Sequence, residues 1–171
     1  HHLCPWISDQ ISVVFHNFSN QTWGMSTMKN PIDPAASALS AMACFSDGMS
    51  QLTRAVDNLQ MRAVVAEAAD LIFAMKGRLI ISGVGKSGHV ARKLAATFAS
   101  TGTPAYFVHA ADASHGDLGM IQNDDVVMLL SWSGETGELA DIIAYAARFD
   151  VPIVAITGKA KGTLARRAQY P

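Results

Sequence analysis

The sequence predicts an α/β fold in which helices cover both faces of one parallel sheet, a three-layer αβα sandwich. From residue 78 onward, short apolar segments bounded by Gly, Pro or Asp alternate with helical segments. Two of the predicted strands run through a glycine-containing turn directly into a helix. Because crossovers between parallel strands are right-handed, this order places one helix layer on each face of the sheet. The length of 171 residues suits a single core.

The first 36 residues are polar and rich in Asn and Ser, and we expect a tail, tag remnant or linker there. The predicted domain covers residues 37–171. Its first helix is expected from Ser37, because apolar residues recur at alternating steps of three and four. This seam packs either on the domain's own sheet or on a second copy of the chain. The seam residues are Met42, Phe45, Met49, Leu52, Val56 and Leu59.

A second helix is predicted before Gly77, which is placed to end it. Its apolar face consists of Met61, Val64, Val65, Ala68, Leu71, Ile72 and Met75. Beyond Gly77 strands and helices alternate. Strands are predicted at 78–82, 104–108, 125–131 and 152–157, with helices near 88–100 and 136–149.

Composition limits the partners of the chain. Its formal net charge of -1 supplies no field that would attract nucleic acid or an anionic membrane. The apolar runs end well short of the roughly 20 residues that a membrane helix needs. The two cysteines are too few for a disulfide framework. We therefore expect a cytoplasmic protein that contacts neither nucleic acid nor membrane.

The first predicted strand leads into a glycine-rich turn, Gly83-Val84-Gly85-Lys86-Ser87-Gly88. Glycines let the backbone approach an anion, and the N-terminus of the following helix favours phosphate. The turn also matches the dinucleotide fingerprint, with Asp112 at about the right distance downstream for a ribose contact. A nucleoside-triphosphate loop is excluded, because Ile80 stands where that motif needs glycine.

The third predicted strand runs into a hydroxyl-rich turn, Ser131-Trp132-Ser133-Gly134-Glu135-Thr136, just before a helix. Three hydroxyls and the free N–H groups of a helix start suit a phosphomonoester. A serine-rich helix cap without a ligand is the structural alternative. In parallel sheets ligands bind beyond the carboxyl ends of the strands, so both turns belong to the predicted site.

These two motifs together resemble the SIS (sugar isomerase) domain. The stretch GKSGHVARKLAATFASTGTPAYFVHAADASHGDLGMI, at 85–121, is similar to the arabinose 5-phosphate isomerase family, and the resemblance runs from about Ala55 to Arg167. It implies a flavodoxin-like parallel sheet and no cofactor. The implied reaction interconverts ribulose 5-phosphate and arabinose 5-phosphate through an enediol(ate), for the octulosonate sugar of lipopolysaccharide.

The resemblance also implies roles for individual residues. Lys86 and Glu138 match the catalytic lysine and glutamate of the family, and His109 matches a residue that also binds inhibitory zinc. The family further implies a homo-oligomer, expected as a tetramer. The substrate-binding residues implied by the resemblance are Ser87, Gly102, Thr103, His109, His115, Ser131, Ser133 and Thr136.

The sequence departs from the family in two places. Ala110 and Asp112 stand where relatives usually carry Pro and Glu, which affects the shape of that loop. Relatives also continue past the equivalent of Pro171 into a strand and helix with a second glutamate and a histidine, and commonly into CBS modules. We therefore expect this chain alone to turn over substrate poorly. A non-catalytic phosphosugar-binding or sensor module is the alternative function.

Overall fold

The computed structural model describes residues 33–113 and 116–170, which form two compact units that divide after Asn58. The described part of the first unit contains one helix, α1, at Pro34–Val56. It begins three residues earlier than predicted, because the Asp33 side chain accepts a hydrogen bond from the Ala35 N–H at 2.9 Å. Proline is favoured at the first helical position, so Pro34 belongs to the helix. The rest of the predicted tail lies outside the described residues.

The apolar seam of α1 is exposed in the single chain. Met42, Phe45, Met49 and Leu52 each expose between 55% and 71% of their surface. Contiguous exposed apolar surface of this kind is typical of a protein interface. Packing of the seam on a second copy stays a prediction.

The second unit contains four strands and five α-helices among its described residues. The helix α2 spans Leu59–Ala74, and the strand β1 follows at Leu79–Gly83. Two short 3₁₀ turns, Asp117–Met120 and Gly137–Leu139, precede β3 and the helix after it. The remaining elements are α3 (Gly85–Ser100), β2 (Ala105–Phe107), α4 (Ala110–Ala113), β3 (Val126–Ser131), α5 (Ala140–Arg148), β4 (Ile153–Thr157) and α6 (Thr163–Arg167).

The strands form one parallel sheet in the order β2-β1-β3-β4. Five residue pairs join β1 to β3, with Leu79 opposite Val126 and Gly83 opposite Leu130, and β3 and β4 also match over five pairs. Each predicted strand is confirmed with its ends shifted by one residue at most. After α6 the backbone of Tyr170 pairs with β4 through a single parallel bridge to Val154.

Helices cover both faces of the sheet, as predicted. On one face, α3 packs on the buried residues Leu79, Ile81 and Met128. The helix α2 adds Ala68, Leu71 and Ile72, and Met75 follows directly after it. On the other face, α4, α5 and α6 pack on the opposite side chains of β1, β3 and β4. The apolar face predicted for α2 is therefore only partly used, because Met61 and Val65 remain exposed. Among the described helices, none combines the length and the apolar composition of a membrane span.

The buried carboxylate of Asp125 ties β1 to β3 at the amino edge of the sheet. Its Oδ1 accepts the Arg78 N–H at 2.7 Å, and its Oδ2 accepts the Gln122 N–H at 2.9 Å. The Arg78 guanidinium lies 3.4 Å from the same Oδ2 and donates to the Met120 carbonyl at 2.6 Å. Asp125 is only 2% exposed, so these bonds replace its contacts with water.

We expect Asp125→Asn to lower the free energy of unfolding by about 1.5–3 kcal/mol, the usual worth of hydrogen bonds to a charged group. An asparagine offers one acceptor oxygen where the carboxylate uses two, and its NH₂ would face another N–H donor. Urea denaturation measures the change. The control Asp124→Asn alters an exposed neighbour and should stay within about 0.5 kcal/mol of the parent. Equal stability of the two variants would contradict the structural role of Asp125.

Candidate functional site

Two loops leave the carboxyl edge of the sheet side by side. The loop after β1 begins at Gly83 and the loop after β3 begins at Ser131, and their strands are adjacent in the sheet. The strand order reverses here, since β1 connects to β2 on one side and β3 lies on the other. Crevices at such reversals are where parallel α/β sheets bind ligands. The structure thus brings together the two loops that the sequence singled out.

The loop after β1 is closely packed. A side chain on Gly88 would place its Cβ 2.7 Å from the Gly83 carbonyl oxygen, and one on Gly83 would lie 3.0 Å from Ser87 and 3.1 Å from the Leu130 oxygen. Gly85 has a φ of 57°, a backbone conformation that favours glycine. The helix α3 starts in this loop, with Lys86 exposed and Ser87 half-buried in its first turn.

The loop after β3 is organised by its own hydroxyls. The Ser131 and Thr136 hydroxyl oxygens lie 2.7 Å apart, and the Ser131 Oγ accepts the Gly134 N–H at 3.0 Å. The Ser133 Oγ accepts the Glu135 N–H at 3.2 Å. Ser131 is buried, whereas Ser133 is exposed, so the hydroxyls reach from the sheet to the surface.

A helix start follows the hydroxyl-rich loop. The 3₁₀ turn at Gly137–Leu139 runs into α5, and its N-cap residue Thr136 makes no side-chain capping bond. The first N–H groups of a helix have no intrahelical acceptor, so they are free to donate to an anion. Glu138 lies in this turn with an exposed carboxylate.

A cavity of about 310 Å³ opens beside this loop. Its volume lies at the lower end of the range for small-molecule pockets, which suits a compact ligand. Its polar lining includes Ser131, Glu135, Thr136, Thr163 and Arg167. The described residues therefore provide both hydroxyl groups and a guanidinium around a space next to the helix start.

Glu135, which the sequence analysis did not assign to the site, joins the loops after β3 and β4. Its Oε1 accepts the Thr163 N–H at 2.8 Å, which caps the start of α6. Hydrogen bonds from the Thr163 side chain and backbone lower the pKa of Glu135, and the charge of Arg166 lowers it further. The sequence shows a carboxylate at Glu135 and a residue suited to a helix start at Thr163. It does not show that the two pair, because they lie 28 residues apart.

His109 lies on the loop after β2, next to the loop of β1 at the same edge of the sheet. Its half-buried ring meets the Phe107 ring edge-on, with centroids 6.3 Å apart. Among the described residues, no three His, Cys, Asp or Glu side chains gather around a possible metal. His115 lies outside the described residues. Zinc at His109 stays a prediction from the resemblance.

Gly102 and Thr103 are not brought to the site within one chain. They follow α3 and precede β2, with Gly102 at a φ of 95°, so they lie at the amino edge of the sheet. The 16 residues of α3 span roughly 24 Å between that edge and the site. A substrate contact for these two residues stays a prediction.

Asp112 does not occupy the ribose-binding position of a dinucleotide site. In that motif the acidic residue follows the second strand directly. Here β2 ends at Phe107, and Asp112 lies further on, in the helical turn of α4 at Ala110–Ala113. The geometry gives the dinucleotide alternative no support.

Comparison with known proteins identifies relatives of this chain. The family model described as the SIS domain matches residues 72–171. The arabinose 5-phosphate isomerase KdsD of Pseudomonas aeruginosa is 48% identical over 117 residues, which cover 67% of this chain and 36% of the relative. The arabinose 5-phosphate isomerase KdsD of Escherichia coli K12 is 50% identical over 101 residues, covering 59% of this chain and 31% of the relative.

A solved structure from Escherichia coli CFT073, in complex with A5P, has a TM-score of 0.70 and 34% sequence identity to this chain. The similarity covers 81% of this chain and 72% of the other. The chain thus spans about a third of the length of the curated relatives that it matches.

The lowered pKa of Glu135 predicts a specific pH dependence of the link between the loops after β3 and β4. A carboxylate whose pKa is depressed by folding stabilises the structure above its ordinary pKa, and this stabilisation is lost as pH falls through the lowered value. We expect the Thr163 amide signal, followed by NMR, to shift with a midpoint below the ordinary glutamate range, and Glu135→Gln to abolish that transition. The control Glu67→Gln, on the exposed face of α2, should leave it unchanged. An unaltered transition in Glu135→Gln would show that another group controls it.

Proposed function

Because the chain belongs to the SIS domain family, we propose that it is the phosphosugar-binding domain of an isomerase that interconverts ribulose 5-phosphate and arabinose 5-phosphate. One observation carries the proposal: the hydroxyl pair of Ser131 and Thr136, 2.7 Å apart, lies at a helix start beside the glycine loop that holds Lys86. Phosphate recognition and a reactive lysine thus come from adjacent strands. The relatives named arabinose 5-phosphate isomerase support the choice of substrate.

The phosphate is assigned to the loop after β3. A phosphomonoester accepts hydrogen bonds at several oxygens, and this loop supplies the hydroxyls of Ser131, Ser133 and Thr136 together with the N–H groups of the following turn. The positive end of the helix dipole adds attraction at the same place. Arg167, which lines the neighbouring cavity, supplies a guanidinium within the same region. Ser87 extends this polar surface from the loop of β1.

The sugar is assigned to the space between the two loops. Exchange of an aldose and a ketose needs a base that moves a proton between adjacent carbons and a group that stabilises the enediolate. We assign the proton transfer to the exposed carboxylate of Glu138 and the stabilisation of negative charge to the ammonium of Lys86. His109 and His115 are assigned to the sugar hydroxyls. The reaction needs no cofactor, because the proton returns to the same molecule.

We place this reaction in the cytoplasm, where sugar phosphates are made, and connect it to synthesis of the octulosonate sugar of lipopolysaccharide. The near-neutral composition and the two cysteines support this location. The pathway follows from the same substrate assignment.

We further propose that the chain works as a homo-oligomer, with a tetramer as the expected state. Two features support it: the exposed seam of α1, and the position of Gly102 and Thr103 at the amino edge of the sheet. If these two residues contact substrate, they reach it from another copy, because α3 separates them from the site of their own chain.

The first prediction of this proposal is that phosphorylated pentoses stabilise the chain and unphosphorylated pentoses do not. At a ligand concentration a hundredfold above Kd, ribulose 5-phosphate should raise the free energy of unfolding by about 2.7 kcal/mol, which calorimetry detects. Ser131→Ala removes a hydrogen bond to a charged oxygen and should weaken binding by about 10- to 100-fold. Ser100→Ala, at the far end of α3, is the matched control. Equal stabilisation by plain ribulose would overturn the phosphate assignment.

Conversion of ribulose 5-phosphate to arabinose 5-phosphate tests the reaction, both in this chain, which is expected to turn over substrate poorly, and in a form extended through the second glutamate and the histidine of the family. In the extended form, Glu138→Gln should lower kcat by about 10²–10⁴, the usual worth of one proton-transfer group, and Lys86→Ala should lower it by about 10²–10³, as for one group that stabilises an oxyanion. Both variants should still bind the phosphosugar. Tight binding with no turnover by the extended form would instead favour the non-catalytic binding module.

The second prediction concerns the seam of α1. Phe45→Glu and Met49→Glu place charges in an apolar interface, where an unpaired charge is costly. We expect each variant to lower the mass measured by light scattering relative to the parent. Ser50→Glu adds the same charge on a different face of α1 and should leave the mass unchanged. A parent chain that stays monomeric at high concentration would count against the oligomer.

A further inference from the structure

The imidazole of His109 is held by its neighbours in a defined orientation. The N–H of Ala111, two residues further along the chain, donates to the His109 Nδ1 at 3.3 Å. The Phe107 ring meets the imidazole at an interplanar angle of 77°. Phe107 is itself covered by the Arg92 guanidinium, which lies 4.2 Å from the centre of the phenyl ring. Val108 and Ala110, on either side of His109, are both buried.

The bond from Ala111 decides which ring nitrogen carries the hydrogen. A neutral imidazole has one donor nitrogen and one acceptor nitrogen. Because Nδ1 accepts the Ala111 N–H, its lone pair is engaged and the hydrogen resides on Nε2. Ala111 lies in the first turn of α4, where N–H groups have no acceptor within the helix. The Ala111 N–H at the start of α4 and the acceptor nitrogen of the imidazole are therefore hydrogen-bond partners.

We infer that the Ala111 N–H holds His109 in the Nε2–H tautomer, so that the imidazole presents a hydrogen-bond donor to the sugar. This inference rests on the proposed function for the identity of the acceptor. His109 would donate to the sugar oxygen that becomes negative in the enediolate, and it would not take the proton from carbon. The backbone N–H of Ala111 acts as the positioning group, since it reaches the sugar only through the ring.

The same geometry opposes metal binding at His109. A histidine that binds a metal through Nε2 carries its hydrogen on Nδ1 and donates it to a carbonyl or carboxylate. Here Nδ1 accepts the Ala111 N–H. A metal at Nε2 would move the ring hydrogen to Nδ1, and the Nδ1–H and the Ala111 N–H would then point at each other. Zinc could bind only after the bond to Ala111 is broken.

The tautomer can be read directly by ¹⁵N NMR of the ligand-free chain, above the pH at which imidazoles are charged, with the His109 signals assigned from His109→Gln. We expect Nδ1 to give an acceptor-type shift and Nε2 an N–H shift. Ala111→Pro removes the donor and should mix the tautomers, whereas Ala111→Gly keeps the N–H and should preserve the parent pattern. A parent chain with its hydrogen on Nδ1 would overturn the inference, whether or not Ala111→Pro folds.

Turnover of ribulose 5-phosphate tests the donor role with His109→Gln and His109→Met. Both variants lose the ring nitrogen that accepts from Ala111, but only glutamine keeps an N–H near the place of Nε2. We expect the methionine variant to lose about 10²–10³ in kcat, as for one oxyanion donor, and glutamine to recover most of it. Equal losses would mean that a titrating base is needed, and would overturn the donor role. The kinetic comparison is made in the extended form; if that form shows no turnover, the proposed function fails while the NMR result still decides the tautomer.

Discussion

The pairing of β1 with β3 is the constraint on which the site depends. These two strands match over five residues, and Gly83 at the end of one lies opposite Leu130 at the end of the other. The backbone is so close at this point that a Cβ on Gly83 would touch the Leu130 carbonyl at 3.1 Å and Ser87 at 3.0 Å. Neither contact can relax, because the atoms belong to backbone held by the sheet and by α3. Close packing here fixes the spacing of the two loops.

The loop after β3 is already ordered by its own hydrogen bonds. The Ser131 hydroxyl lies between the Thr136 hydroxyl and the Gly134 N–H, and Gly134 adopts a φ of 68° that favours glycine. A phosphate that binds here must exchange the bond between the two hydroxyls for bonds to its own oxygens. This exchange costs little, because a hydroxyl can rotate without moving the backbone. The bond from the Thr163 N–H to the Glu135 carboxylate does not involve these hydroxyls, so it holds the loop to the start of α6 during the exchange.

The sequence predicted what depends on local pattern. The four strands, their parallel direction and both loops follow from apolar runs and from the glycines and hydroxyls after them. Each of these features is found in the structure. The apolar pattern predicts the start of α1 three residues too late, because the capping residue Asp33 and Pro34 at the first helical position carry no apolar signal. Long-range contacts could not be predicted: the bond from Glu135 to Thr163 joins residues 28 apart. Gly102 and Thr103 lie at the amino edge of the sheet because α3 runs from the carboxyl edge back to that edge. A match to a sequence motif carries no information on this direction.

The proposed assignment of the phosphate to the loop after β3 has a consequence for the chemistry of the site. The chain carries almost no net charge, so the proposed attraction of an anion is local: it comes from hydroxyls, backbone N–H groups and a helix end, with the Arg167 guanidinium in the same region. Phosphate binding by these groups does not require Lys86, so the proposed function assigns the Lys86 ammonium to the reacting end of the sugar. A lysine paired with the phosphate would have its charge neutralised there and would stabilise an enediolate less. In the proposed function, two adjacent strand ends therefore divide two tasks: the loop after β3 binds a dianion, and the loop after β1 stabilises a second, developing negative charge.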